Sequence, residues 1–189
     1  MTMKAGTKEA GTIGAKPSAA PDIDNGAKNS ADQPFPQRIL GRTGERVPIL
    51  GLGTATGGIG LDDADAVRLY ESAIDQGVTY LDTAPGYDRA QKQLGEILPR
   101  RRDEVFLVTK THTADRAEAI SKLEEALRDL RTDAVDLAYV HSMGHLDADQ
   151  VLSESGALAG LRECQKRGLT RYIGVTGHNL PHRVLQVLE

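Results

Sequence analysis

Four residues capable of acid–base work stand at comparable places along this sequence. Asp82 closes the short apolar run Val78 to Leu81, and Tyr87 follows it in the turn Thr-Ala-Pro-Gly-Tyr. Lys110 closes the run Glu104 to Thr109, and His141 closes the run Ala134 to Val140. Thr176 ends a further run, Leu169 to Val175. Singly, each has a structural reading. Asp82 could cap a helix, Lys110 could emerge at the surface, His141 could be a satisfied imidazole, and Tyr87 could be a loop tyrosine. Jointly they make coherent chemistry. An ammonium beside a phenol favours the ionised phenol, and a carboxylate fixes the ammonium. The phenol then becomes a general acid usable near neutral pH.

The intervening sequence is what must place those residues. The runs Val47 to Thr54, Val78 to Leu81, Glu104 to Thr109, Ala134 to Val140 and Leu169 to Val175 read as strands buried on both faces. Each is followed by apolar residues at helical spacing. Examples are Ala66, Tyr70, Ala73 and Ile74; Ala117, Ile120, Leu123, Leu127 and Leu130; and Leu158, Leu161 and Cys164. Asp62 or Asp63 can cap the first helix and Gly77 can end it. The pattern predicts that Ala90, Leu94, Ile97 and Leu98 form one helix stopped by Pro99. Gly51 to Gly60 contributes a glycine-rich turn, and Pro181 opens the last helix. Strand–helix alternation means a parallel sheet with right-handed crossovers. All the strand ends then lie on one rim, where (β/α) barrels build their active sites. Before the first strand, Arg38 to Val47 reads as a hairpin turning at Gly41 to Gly44. Residues 1–36 are polar and without period, and read as a disordered tail; residues 37–189 form the α/β body.

Composition narrows the function. The chain has 189 residues, is 39% hydrophobic and 26% charged, and has a net charge of −4, which gives no basis for binding nucleic acid or an anionic membrane. No apolar run is long enough to span a bilayer, and no apolar segment follows the N-terminal lysines as in a secretory signal. A cytoplasmic protein is expected. The single cysteine, Cys164, lies among helical core positions and reads as a packed thiol. Gly51 and Gly53 lack the third glycine of a dinucleotide fingerprint, since Thr56 occupies its place.

The run Asp82-Thr-Ala-Pro-Gly-Tyr87, then Leu94-Gly95, resembles the signature of the aldo-keto reductases, D-x-A-x-x-Y-G-x-x-E-x-x-L-G. Phe106-Leu-Val-Thr-Lys110 resembles that family's strand-borne lysine, and Val135-Asp-Leu-Ala-Tyr-Val-His141 its strand-borne histidine. Ile49 to Thr54 and Tyr172 to Thr176 resemble its first and fifth strands. The resemblance implies NADPH-dependent reduction of a small aldehyde or ketone. Tyr87 would give the proton to the carbonyl oxygen, Lys110 and Asp82 would tune it, and His141 would orient the carbonyl. Gly53, Thr54 and Thr176 would lie against the nicotinamide.

Some positions depart from the pattern. Asp88 stands for the glycine after the tyrosine, Gln91 for the glutamate, and Thr176-Gly177-His178 for Ser-Asn-Phe. The family barrel has eight strands and this sequence supplies five. It is therefore expected to be the N-terminal part of a barrel, to bind NADPH weakly or not at all alone, to be impaired as a reductase, and to self-associate through open strand edges. Two other functions fit some of the same residues. One is a metal-dependent hydrolase using His141, His145 and His178; the other is a non-catalytic relative of the reductases.

Overall fold

The computed structural model describes residues 35–189, so the tail expected over 1–36 lies almost wholly outside the described residues. The described chain begins with an antiparallel hairpin of β1 (Gln37–Ile39) and β2 (Arg46–Pro48). Gly41 and Gly44 take φ of 52° and 77° in its turn, a backbone region that favours glycine.

The body is a parallel sheet of β3 (Gly51–Gly53), β4 (Tyr80–Asp82), β5 (Phe106–Thr111), β6 (Val135–Val140) and β7 (Thr170–Val175), hydrogen-bonded in that order. This is the architecture of a partial (β/α) barrel. Side chains alternate across it, as the period of a strand requires. Leu81, Leu107, Ala138 and Val140 meet the helices, in a core shared with Ala66, Tyr70 and Ile74 of α2 (Asp63–Asp75). The same core takes Leu123, Leu127 and Leu130 of α5 (Arg116–Leu130), and Leu161 and Cys164 of α7 (Ala157–Lys166). The other face carries Phe106, Val108 and Leu137, with Val47 of the hairpin packed on them. There Phe106 stacks on Tyr80 of the neighbouring β4 at 5.3 Å between ring centres, and on Tyr172 of β7, across β6, at 6.5 Å.

Three local expectations change. The glycine-rich stretch after β3 is a helix, α1 (Ala55–Gly60), although glycine is a poor helix former. Tertiary packing decides it: a Cβ on Gly57 would sit 2.2 Å from the Tyr70 hydroxyl, and one on Gly58 would sit 2.0 Å from the Tyr87 carbonyl. The helix after β4 is two pieces, α3 (Ala90–Gly95) and α4 (Leu98–Arg101). Pro99 lies in the first turn of α4, where its missing N–H is not needed, so it opens a helix instead of stopping one. The third change is an additional short helix, α6 (Ala148–Leu152), capped by the Asp147 carboxylate, which accepts the N–H groups of Asp149 and Gln150.

Asp62 caps α2 by accepting the Asp65 N–H at 2.8 Å, and Gly77 and Gly168 follow α2 and α7 at φ of 87° and 79°. The final helix, α8 (Pro181–Leu188), has no buried residue. Among the described residues β3 and β7 each have one sheet neighbour. No helix among the described residues is long and apolar enough to cross a membrane.

The N-terminal ends of the strands are tied together by charge. The Asp136 carboxylate, nearly enclosed, accepts from Arg102 (2.9 Å), Arg171 (2.8 Å) and the Leu107 N–H (2.8 Å). Arg171 also pairs with Glu45 of the hairpin, whose carboxylate accepts the Tyr172 hydroxyl at 2.9 Å. A concavity of about 610 Å³ lies at this end, away from the residues singled out above. Its principal charges are engaged with one another.

Candidate active site

The opposite, C-terminal rim gathers the residues expected to do chemistry. Asp82 is the last residue of β4 and lies in register with Gly53 and Val108 on the flanking strands. Lys110 lies within β5, one residue deeper than the sequence suggested, because the strand runs on to Thr111. The residue is 4% exposed, and a buried ammonium must be paired. Nζ forms an ion pair with Asp82, donates to the Thr83 carbonyl at 3.0 Å and donates to the Tyr87 hydroxyl at 3.2 Å. Acid, ammonium and phenol are thus one connected group.

Tyr87 is held from behind. Its N–H donates to the Ala84 carbonyl and its carbonyl accepts the Ala90 N–H, while Gly58 of α1 presses on that same carbonyl. Asp88 follows at φ 52°, which explains why a glycine is usual there; aspartate is among the side chains that tolerate it. Gln91 is buried and donates to the Thr109 hydroxyl at 2.8 Å, anchoring α3 to β5 beside Lys110. The fully buried Tyr70 hydroxyl lies 3.2 Å from both the Thr54 carbonyl and Gln93 Oε1, and burial pushes it up to about 12, so it stays protonated. The supports from Gly58, Tyr70 and Gln93 carry no sequence signal beyond their residue types.

His141 follows β6, with its N–H on the Thr111 carbonyl at 2.8 Å. Burial first, then the Lys110 charge and the nearby His112 and His178, push the imidazole down to about 4, while Asp82 opposes weakly. It is neutral at pH 7 and acts there as a hydrogen-bonding group. His112 and His178 meet it edge-on at 5.9 and 5.5 Å between ring centres, and His145 lies 6.5 Å from His112. Among the described residues no group of three His, Cys, Asp or Glu side chains is arranged to hold a metal. The alternative of a hydrolase using His141, His145 and His178 is not favoured.

The positions expected to face a nicotinamide differ from one another. Gly53 is exposed, and a side chain there would meet nothing within 4 Å, so the end of β3 offers open, flat backbone to a planar ring. Thr54 is fully enclosed, and its hydroxyl and N–H both donate to the Asp82 carbonyl, at 3.1 and 2.9 Å. It holds the strand end that carries Asp82. Thr176 is half-buried beside His141, with Nδ1 at 2.7 Å from its hydroxyl. Cys164 is fully buried and burial raises its thiol, as a packing role requires.

This geometry, on this fold, has relatives. The model of the aldo/keto reductase family matches residues 49–189, and the chain belongs to that family. It is 32% identical over 156 residues to the aldo-keto reductase YhdN of Bacillus subtilis, covering 73% of this chain and 46% of that protein. It is 30% identical over 155 residues to the NADPH-dependent codeinone reductase 1-3 of Papaver somniferum, covering 70% of this chain and 47% of that one. A solved structure from Pseudomonas aeruginosa assigned to the same family is 32% identical, with a TM-score of 0.71, covering 82% of this chain and 65% of that one. The chain thus spans about half the length of these curated relatives.

Proposed function

We propose that this chain carries the proton-transfer residues of an NADPH-dependent reductase acting on small aldehydes or ketones. The carrying observation is the Asp82–Lys110–Tyr87 connection: a buried, carboxylate-paired ammonium whose remaining hydrogen bonds go to a backbone carbonyl and to one phenol. Membership of the family supports reduction, and the poppy relative's dependence on NADPH supports the cofactor. The open backbone at Gly53 fits a planar ring, and Thr176 stands beside His141.

The hydride for the carbonyl carbon is the chemistry that the nicotinamide supplies when bound. Tyr87 gives its proton to the carbonyl oxygen as charge builds there, so the product is the alcohol and the phenolate remains. Lys110, held by Asp82, stabilises that phenolate by charge, an electrostatic contribution that needs no reorganisation because the ammonium is already in place. Neutral His141 offers a hydrogen bond to the same oxygen and orients it.

The test is NADPH consumption with simple aldehydes by this chain and by Tyr87→Phe, together with a fluorescence titration of NADPH. General-acid catalysis contributes about 10²–10⁴-fold, so Tyr87→Phe should lose that factor while keeping its NADPH affinity. Turnover at equal rates in the two chains would contradict the proposal.

A further inference from the structure

The chain leaves β6 through a turn that is strained and then tied down. Ser142, directly after His141, is buried and left-handed, at φ 60° and ψ 52°. A Cβ opposes that conformation, and serine is not among the side chains that take it readily. Such a residue persists only where its surroundings fix it. Two contacts come from the residue after β7: the Ser142 N–H donates to the Thr176 hydroxyl at 3.0 Å, and the Met143 N–H to the Thr176 carbonyl at 2.9 Å. Two more come from α8. One nitrogen of Arg183, Nη1, donates to the carbonyls of Gly144 and Leu146, at 3.2 and 2.8 Å. Among the described residues those two carbonyls have no other hydrogen bond. Gly144 itself packs on Asn179, and a Cβ on it would fall 1.6 Å from Asn179 Oδ1.

Arg183 is in the wrong place for its own helix. It is the third residue of α8, at the end where backbone N–H groups gather partial positive charge and a cation is disfavoured. It is in the right place for the 3₁₀ turn Met143–His145, whose last carbonyls are left over by the turn and suit a charged donor. We propose that Arg183 is a positioning residue for the rim. By holding this turn it keeps Ser142 left-handed, and so keeps His141 between His112 and His178, edge-on at 5.9 and 5.5 Å between ring centres. With the turn released, Ser142 falls back to negative φ and the backbone that carries His141 turns with it. A helix that buries no residue of its own is in this way coupled to the site. The hold on the turn stands independently of the reductase reading; its effect on turnover rests on that reading.

The experiment is NMR of the full chain at pH 7, labelled with ¹³C and ¹⁵N. It reads the amide–Hα NOE within Ser142, which is strong only at positive φ, and the ring signals of His141, assigned by their loss in His141→Gln. The wild type is expected to show the strong NOE. Arg183→Lys keeps it, because both contacts come from one nitrogen, which an ammonium can replace. Arg183→Gln loses it and shifts the His141 ring signals. Adding Ser142→Gly, which takes positive φ freely, returns those signals toward the wild type. A wild-type Ser142 at negative φ overturns the proposal, as does a folded Arg183→Gln chain with Ser142 and His141 unchanged. If Arg183→Gln does not fold, Ser142→Gly must restore folding, and its failure to do so overturns the proposal as well. In aldehyde reduction Arg183→Gln should lower kcat by up to about 10²-fold, the cost of a misplaced group, with NADPH affinity unchanged. Equal turnover by the wild type and Tyr87→Phe would reject the reductase reading and leave the hold of Arg183 on the turn standing.

Discussion

Lowering the pH from about 6.5 toward 4 should destabilise this chain through His141. The imidazole sits at about 4 in the folded chain against an ordinary 6.5, chiefly because it is buried and secondarily because Lys110, His112 and His178 face it; Asp82 acts weakly the other way. Between those two values the unfolded chain binds a proton that the folded chain does not. Stability from this group is therefore complete above pH 6.5 and declines as pH falls toward 4. The gap, at 1.36 kcal/mol per pH unit, sets an upper limit of about 3 kcal/mol. The ring keeps some solvent contact, so a loss of ~1–3 kcal/mol is expected. Urea unfolding of the wild type and His141→Gln at several pH values from 7 to 4.5 measures it. Exposed His112 and His178, and the carboxylates, are common to both chains and cancel in the difference. The wild-type advantage, whatever its size at pH 7, should shrink by that amount as pH falls. Parallel pH profiles would refute the reasoning, because they would mean that His141 titrates normally in the folded state.

Gly58→Ala should damage folding and chemistry together, since its Cβ would fall 2.0 Å from the Tyr87 carbonyl, a backbone atom. A loss of about 1–3 kcal/mol in thermal unfolding, with reduced turnover, is expected; wild-type values for both would contradict the packing described. Asp136→Ala should cost about 3 kcal/mol in urea unfolding, because it strips a nearly enclosed acceptor from Arg102, Arg171 and the Leu107 N–H. A loss below about 1 kcal/mol would show that the network contributes little. The exposed side chains Ile49 and Leu50 beside β3, which has one sheet neighbour among the described residues, and Leu185 and Leu188 of α8, which has no buried residue, should make the chain self-associate. Light scattering should show mass rising with concentration, and a monodisperse monomer throughout would sink this expectation.

The strands and the rim were legible because buried parallel strands leave continuous apolar runs, and the polar residue that ends each run is conspicuous. Asp82, Lys110 and His141 were found that way, and Tyr87 through its spacing from Asp82. Less legible was anything decided by contact between distant segments. Gly57 and Gly58 read as a turn because their helical propensity is poor; only the approach of Tyr70 and of the Tyr87 backbone makes a helix of them. Pro99 read as a stop, since a proline that opens a helix looks the same in sequence as one that ends it. Thr54 stood beside Gly53 and invited the same reading, yet the register of β3 with β4 turns its hydroxyl onto the Asp82 carbonyl. The Thr176–His141 pair joins two strand ends whose side-chain directions no local pattern reports.

The central claim is that Tyr87 supplies the proton when hydride arrives at a carbonyl carbon. It is tested most directly by incubating this chain with an aldehyde and NADPH deuterated on the transferring face of C4, then analysing the product by mass spectrometry. The account predicts the primary alcohol with one deuterium on its carbinol carbon, formed about 10²–10⁴ times more slowly by Tyr87→Phe. Alcohol without deuterium, or labelled alcohol formed at equal rates by the two chains, would contradict it.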